Sequence, residues 1–235
     1  MTTELFRDNG YLRSCTAIVT AVDERGIQLD QTVFYPMGGG QPGDSGTLTT
    51  ADGRVLNILD ARKDSVTGDH LHLVEVDVQL PAVGEPVNIA IDWERRHRLM
   101  RMHSCMHLLC AIIPAGVTGG SVRDDGSARL DFDLPEPPDK VWIERELNRL
   151  IAEDHRMLIR WISDDELESQ PELVRTLSVK PPQGSGRIRL INFEGVDLQP
   201  CGGTHVASSA EIGPVRVKKI EKKGKLNRRI TVEFA

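Results

Sequence analysis

The sequence predicts an α+β fold: a small β-rich, barrel-like N-terminal domain over residues 1–91, then a domain over 92–235 in which helices pack on an antiparallel sheet. Three observations predict it. Short β-branched and alternating runs, separated by Gly, Pro and Asp turns, fill the first ninety residues. At Trp93 the pattern switches to long side chains, with no Gly or Pro until Pro114. Beyond that point alternating segments interleave with one further helical stretch. A length of 235 residues allows one large or two small domains with real cores.

In chain order, 16–22 is a β-branched run, closed by the turn Asp23-Glu24-Arg25-Gly26 and followed by 27–29. Segments 55–59, 70–76 and 87–91 add strands, and together they suggest a small barrel or sandwich. His70 and His72 are spaced by two, which serves one face of a sheet. Gly38-Gly39-Gly40 has neither the Gly-Lys-Ser/Thr ending of a phosphate loop nor dinucleotide-site spacing. Three glycines suit either a tight loop between strands or close backbone approach to a ligand.

The segment 93–113 reads as a helix with Met100, His103, His107 and Ala111 on one stripe. Cys105 lies about 200° around that helix from His103, so it reads as packing, as do Cys110 and His97. A second helix is expected over 139–159, with Ile143, Leu147, Leu150, Ile151 and Leu158 facing inward and His155 at the surface. Segments 127–134 and 187–193 alternate as strands, and 215–220 with 229–234 reads as a closing hairpin.

The formal charge of −6 is unevenly spread. Residues 1–90 carry −7 and residues 91–235 carry +1. The stretch 214–229 holds eight basic residues against one acid, Glu221, and Arg95, Arg96, Arg98 and Arg101 crowd the start of the first helix. Such patches suit phosphate contacts, or equally a solvated hairpin whose lysines protect an edge strand. Residues 1–9 lack the apolar run of a signal peptide and no stretch reaches membrane-spanning length, so neither a leader nor a membrane span is expected. Four irregularly spaced cysteines do not form a disulfide framework, so a cytoplasmic location is expected.

The strongest chemical signal is a pair of pairs: His103-x3-His107 and Cys201-Gly-Gly-Thr-His205. Residues four apart share a helix face, so His103 and His107 reach one ion together, and a thiolate with an imidazole completes a set that zinc favours. Ser104 stands where a metalloprotease would place its glutamate, and Thr204 where a deaminase would place its second cysteine. Both schemes are excluded.

The stretches 101–109 (RMHSCMHLL) and 200–206 (PCGGTHV) resemble the editing-domain motifs of alanyl-tRNA synthetase. The stretch 32–46 (TVFYPMGGGQPGDSG) is similar to the glycine-rich signature upstream of them. The order and length resemble the AlaX family of free-standing editing proteins, in its medium-sized form. The resemblance implies hydrolysis of tRNA(Ala) whose acceptor end carries serine or glycine, and one Zn2+ per chain held by His103, His107, Cys201 and His205. It also implies substrate contacts from Thr32, Gln41, Gly38, Gly39 and Gly40. Gly202 and Gly203 would let the backbone approach the ester and offer N–H donors to its oxyanion. Met106 and Thr118 depart from the synthetase pattern, so its other substrate contacts are not carried over. A Ser-tRNA(Thr) deacylase, a non-catalytic, zinc-stabilised tRNA-binding module and a zinc hydrolase of small esters are the rival readings.

Overall fold

The computed structural model describes residues 2–177 and 187–235. It divides into a first compact unit that ends at Arg98 and a second, Leu99–Ala235. The first contains β1 (Thr3–Glu4), β2 (Ser14–Asp23), β3 (Gly26–Leu29), β4 (Gln31–Thr32), β5 (Gly46–Thr50), β6 (Val55–Lys63), β7 (His70–Val74) and β8 (Pro86–Ile91). Six of these close into a barrel in the order β2-β3-β7-β6-β5-β8, with β8 pairing back to β2. Alternation explains the closure. Ala17, Val19, Leu48, Leu56, Ile58, Val87 and Ile89 all point inward with Phe34, while their neighbours along each strand face out.

The glycine-rich stretch is built as turn and crossing. Gly38 and Gln41 exchange both backbone hydrogen bonds, at 3.1 and 2.9 Å, and Gly39 and Gly40 between them have φ of 54° and 79°. Two successive positive φ values make a primed turn, which only glycine enters freely. Gly46 is needed for a different reason: a Cβ there would lie 2.1 Å from the Ala90 carbonyl oxygen.

Helix α1 (Trp93–Ile112) starts where Asp92 accepts the Arg95 N–H at 3.0 Å. Close to its start, Arg96 is completely buried against the equally buried Asp44. Its guanidinium also donates to the Val33 and Gly10 carbonyls at 2.7 and 2.9 Å, while Asp44 accepts the Tyr35 N–H at 2.6 Å.

The second unit holds β9 (Val117–Val122), β10 (Ser127–Asp133), α2 (Lys140–Ala152), β11 (Met157–Ile162), α3 (Asp164–Glu168), β12 (Ile188–Phe193), β13 (Asp197–Pro200), β14 (Val215–Lys222) and β15 (Asn227–Phe234). They form two antiparallel sheets, β14-β15-β10-β9 and β11-β12-β13. Helix α2 covers the edge strand β14: Asn148 bonds both the N–H and the carbonyl of Val215, at 3.0 and 2.8 Å, and Glu144 accepts the Val217 N–H at 2.8 Å. The fold class is therefore the predicted one.

Two expectations need correction. The second helix stops at Ala152 instead of reaching Ile159, because Asp154 turns left-handed at φ 57° and ends the helical path. Leu158 is consequently a strand residue of β11, opposite Asn192, while Ile143, Leu147, Leu150 and Ile151 form the buried face as expected. The first helix carries no single apolar stripe, since every residue from Met102 to Cys110 is buried. A helical stretch buried all round, as 102–110 is, has no polar face to contrast with an apolar one.

One buried group of the barrel gives a pH prediction. His72 is fully buried, with Nδ1 3.0 Å from the Ile27 carbonyl and Nε2 2.8 Å from the Thr32 hydroxyl. A carbonyl only accepts, so Nδ1 carries the proton and Nε2 accepts from Thr32, which in turn accepts the Phe34 N–H at 3.1 Å. Burial, reinforced by His70, pushes its pKa from 6.5 down to about 3. Below pH 6.5 the unfolded chain therefore binds a proton that the folded chain refuses. Its contribution weakens stability by about 1.4 kcal/mol per pH unit as pH falls from about 6.5 toward about 3. NMR of the His72 ring should show the neutral form persisting at pH 5. A His72 midpoint near 6.5 would contradict this.

Candidate metal centre

His103 and His107 project from α1, and Cys201 and His205 from the loop after β13. Their ligand atoms all lie within 4.8 Å of one another. The Cys201 sulfur is 3.6 Å from His103 Nε2 and 3.3 Å from His205 Nε2. His205 packs between the other two imidazoles, with ring centroids 4.5 Å from His103 and 4.6 Å from His107. The three histidines are buried and Cys201 is partly so. Such a group, converging nitrogen and sulfur lone pairs in a dry setting, can hold a metal ion.

Neighbouring side chains orient the imidazoles. The Asp197 carboxylate lies 2.9 Å from His107 Nδ1, and Ser104 Oγ lies 3.3 Å from His205 Nδ1. Both contacts take the Nδ1 side and leave Nε2 available for ligation. Ser104 also accepts the Val206 N–H at 3.2 Å, tying the loop to the helix. The loop is clamped from beneath by the buried Arg189, which donates to the Cys201 and Gly203 carbonyls at 2.9 and 2.8 Å.

Electrostatics favour a thiolate. Burial opposes ionisation of Cys201, but His103 and His205 overcome it and hold the thiol well below its ordinary value. Burial lowers His107, yet the bonds to Asp197 and Cys201 more than reverse this and raise it to about 9. His205 is driven well below 6.5 by burial, against the pull of Cys201. Cys105 and Cys110 behave oppositely: burial pushes both up to about 12, which keeps them as packing thiols.

The other expected site residues belong to the first unit. Thr32 and Gln41 are buried there, and Gly38, Gly39 and Gly40 are the primed turn. None is among the four clustered residues. The Gly203 N–H, expected to serve an oxyanion, instead points at the Cys201 sulfur at 3.4 Å. Gly202 is exposed, and a Cβ there would meet nothing within 4 Å. Asp197, Gln199, Ser104 and Arg189 were not foreseen in these roles. One signal existed: in the segment Asp197-Leu-Gln199-Pro-Cys201, strand alternation places both polar residues on the face that leads to the cysteine.

Of the eight basic residues in 214–229, five have carboxylate partners: Arg216 and Lys218 with Glu233, Lys219 and Lys223 with Glu221, and Arg229 with Asp131. The hairpin is thus partly neutralised from within. Among the described residues no helix is long and apolar enough to cross a membrane.

The chain is similar in sequence to known proteins. Residues 188–231 match the family model described as "Threonyl and Alanyl tRNA synthetase second additional domain", and residues 5–95 match "tRNA synthetases class II (A)". The alanyl-tRNA editing protein AlaX-M of Methanosarcina mazei is 35% identical over 98% of this chain and 95% of its own length. That of Saccharolobus solfataricus is 31% identical over 98% of each chain. An alanine–tRNA ligase from Pyrobaculum arsenaticum is 34% identical over 94% of this chain, but over only 25% of the ligase.

Proposed function

The chain belongs to the AlaX family of alanyl-tRNA editing proteins, and on that premise we propose that it hydrolyses the ester joining serine or glycine to tRNA(Ala), using one zinc ion held by His103, His107, Cys201 and His205. The observation that carries this reading is the convergence of three imidazoles and a thiolate within 4.8 Å. Zn–N bonds of about 2.0–2.1 Å and a Zn–S bond of about 2.3 Å separate sulfur and nitrogen by about 3.5 Å around a tetrahedral ion. The two sulfur–nitrogen distances, 3.6 and 3.3 Å, fit that spacing.

Editing answers a physical need. An alanine pocket rejects neither the smaller glycine nor an added hydroxyl strongly, so discrimination needs a second site. When bound, zinc supplies Lewis acidity beside the ester. The chain's own residues do the rest. Cys201 is kept as a thiolate by its imidazole neighbours and by the Gly203 N–H. Asp197 and Ser104 fix the imidazole tautomers. Gly202, exposed next to Cys201, is the backbone donor for the developing oxyanion.

The matched family model also covers threonyl-tRNA synthetase, which makes Ser-tRNA(Thr) the second substrate to try. Deacylation of Ser-, Gly- and Ala-tRNA(Ala) and of Ser-tRNA(Thr), followed as release of the labelled amino acid, tests both. Hydrolysis confined to Ser- and Gly-tRNA(Ala) is expected. Preference for Ser-tRNA(Thr) would install the second reading, and rapid hydrolysis of Ala-tRNA(Ala) would refute editing.

A further inference from the structure

We propose that Asp197 is the positioning residue for His107, aiming and strengthening its Nε2 lone pair, with Gln199 and Arg175 holding the carboxylate in place. This rests on the zinc reading above. The Asp197 side chain is wholly buried in β13, and its Oδ2 is 2.9 Å from His107 Nδ1 and 2.8 Å from Gln199 Nε2. Gln199 Nε2 also lies 3.0 Å from His107 Nδ1, but with Nδ1 donating to Asp197 these two donors share the Asp197 oxygen and do not bond each other. Oδ1 is buried without a hydrogen bond, and the nearest countercharge is the Arg175 guanidinium, whose Nη2 is 3.6 Å away. Arg175 is tethered by a 2.6 Å bond to the Cys110 carbonyl, one helical turn beyond His107.

An ionised carboxylate can only accept, so His107 Nδ1 must donate, and Nε2 is the nitrogen whose lone pair an ion would take in place of a proton. A buried carboxylate is expensive to hold, and a neutral acceptor would fix the ring at lower cost. What a carboxylate adds is electron density on the imidazole, which raises its strength as a ligand. The Asp197–His107 contact therefore reads as ligand tuning, and Arg175 as the countercharge beside it.

The test uses the full chain loaded with Zn2+ and, separately, with Co2+. Affinity is read by titration against a chromophoric chelator, and ligand geometry by the visible absorption of the cobalt form. Asp197→Ala should lower affinity roughly 10–100-fold and shift the cobalt bands. Asp197→Asn, which keeps the volume and a carbonyl acceptor, should recover part of both, and it carries the test where the alanine variant does not fold. Wild-type affinity and an unchanged cobalt spectrum in Asp197→Asn and Asp197→Ala would overturn the proposal, even if thermal stability fell. Failure of the wild-type chain to take up one ion would instead overturn the zinc reading beneath it.

Discussion

Replacing Cys201 by alanine is expected to strip the centre of its metal and to slow deacylation by more than about 100-fold, beyond the roughly 10–100-fold that loss of an outer partner costs. The reasoning is electrostatic. Cys201 is the one thiol among the four clustered side chains, and the surrounding imidazoles favour its ionisation against its burial. Without the sulfur, three nitrogen ligands would face the proposed zinc ion with no compensating charge among them. The loop itself should survive, since Arg189 still grips its carbonyls and Ser104 still accepts the Val206 N–H. Metal content by mass spectrometry, circular dichroism and single-turnover deacylation separate these effects. A folded, metal-free Cys201→Ala protein that hydrolyses at the wild-type rate would remove the centre from the chemistry.

The largest stability effect is expected in the first unit, at Arg96. Arg96→Met keeps most of the side-chain volume but leaves the Asp44 carboxylate buried without its partner and takes the donor from the Val33 and Gly10 carbonyls. Breaking one side of a buried pair typically costs about 3–5 kcal/mol. Denaturant unfolding followed by circular dichroism measures it. Combined with Asp44→Asn, the double variant should lose much less than the two single changes added together, because the unpaired charge is then gone. Full recovery is not expected, since Asp44 also accepts the Tyr35 N–H. Loss below about 1 kcal/mol for Arg96→Met, the size of an exposed pair, would contradict the buried-pair argument.

How much of this was legible in the sequence depends on where each signal resides. The strands β2, β6 and β8 and the β14–β15 hairpin announce themselves, because one face is buried and period two survives in the residue types. Strand β9 does not: its Val-Thr-Gly-Gly-Ser-Val run has two glycines where side chains would mark the alternation. Strand β5, Gly-Thr-Leu-Thr-Thr, is hidden for another reason: Leu48 is its one apolar residue, so no alternation shows. Strand β11 is masked by the helical pattern before it, because Leu158 continues the spacing of α2 and only the left-handed Asp154 breaks it. At the centre, the four clustered residues were readable from type and spacing. Asp197 and Arg189 were not, since their contacts to His107 and to the Cys201 loop cross 90 and 12 residues of chain. Beyond the alternation that puts Asp197 on the face leading to Cys201, nothing local distinguishes either residue from an ordinary strand position.

Reconstitution of stripped protein with zinc is the most direct readout of the proposed chemistry. Chain freed of metal by a chelator should release serine from Ser-tRNA(Ala) no faster than buffer. The rate should rise linearly with added Zn2+ and break at one equivalent per chain. Undiminished hydrolysis by the stripped, folded protein, or a rate indifferent to zinc, would show that the His103/His107/Cys201/His205 cluster is not the hydrolytic centre.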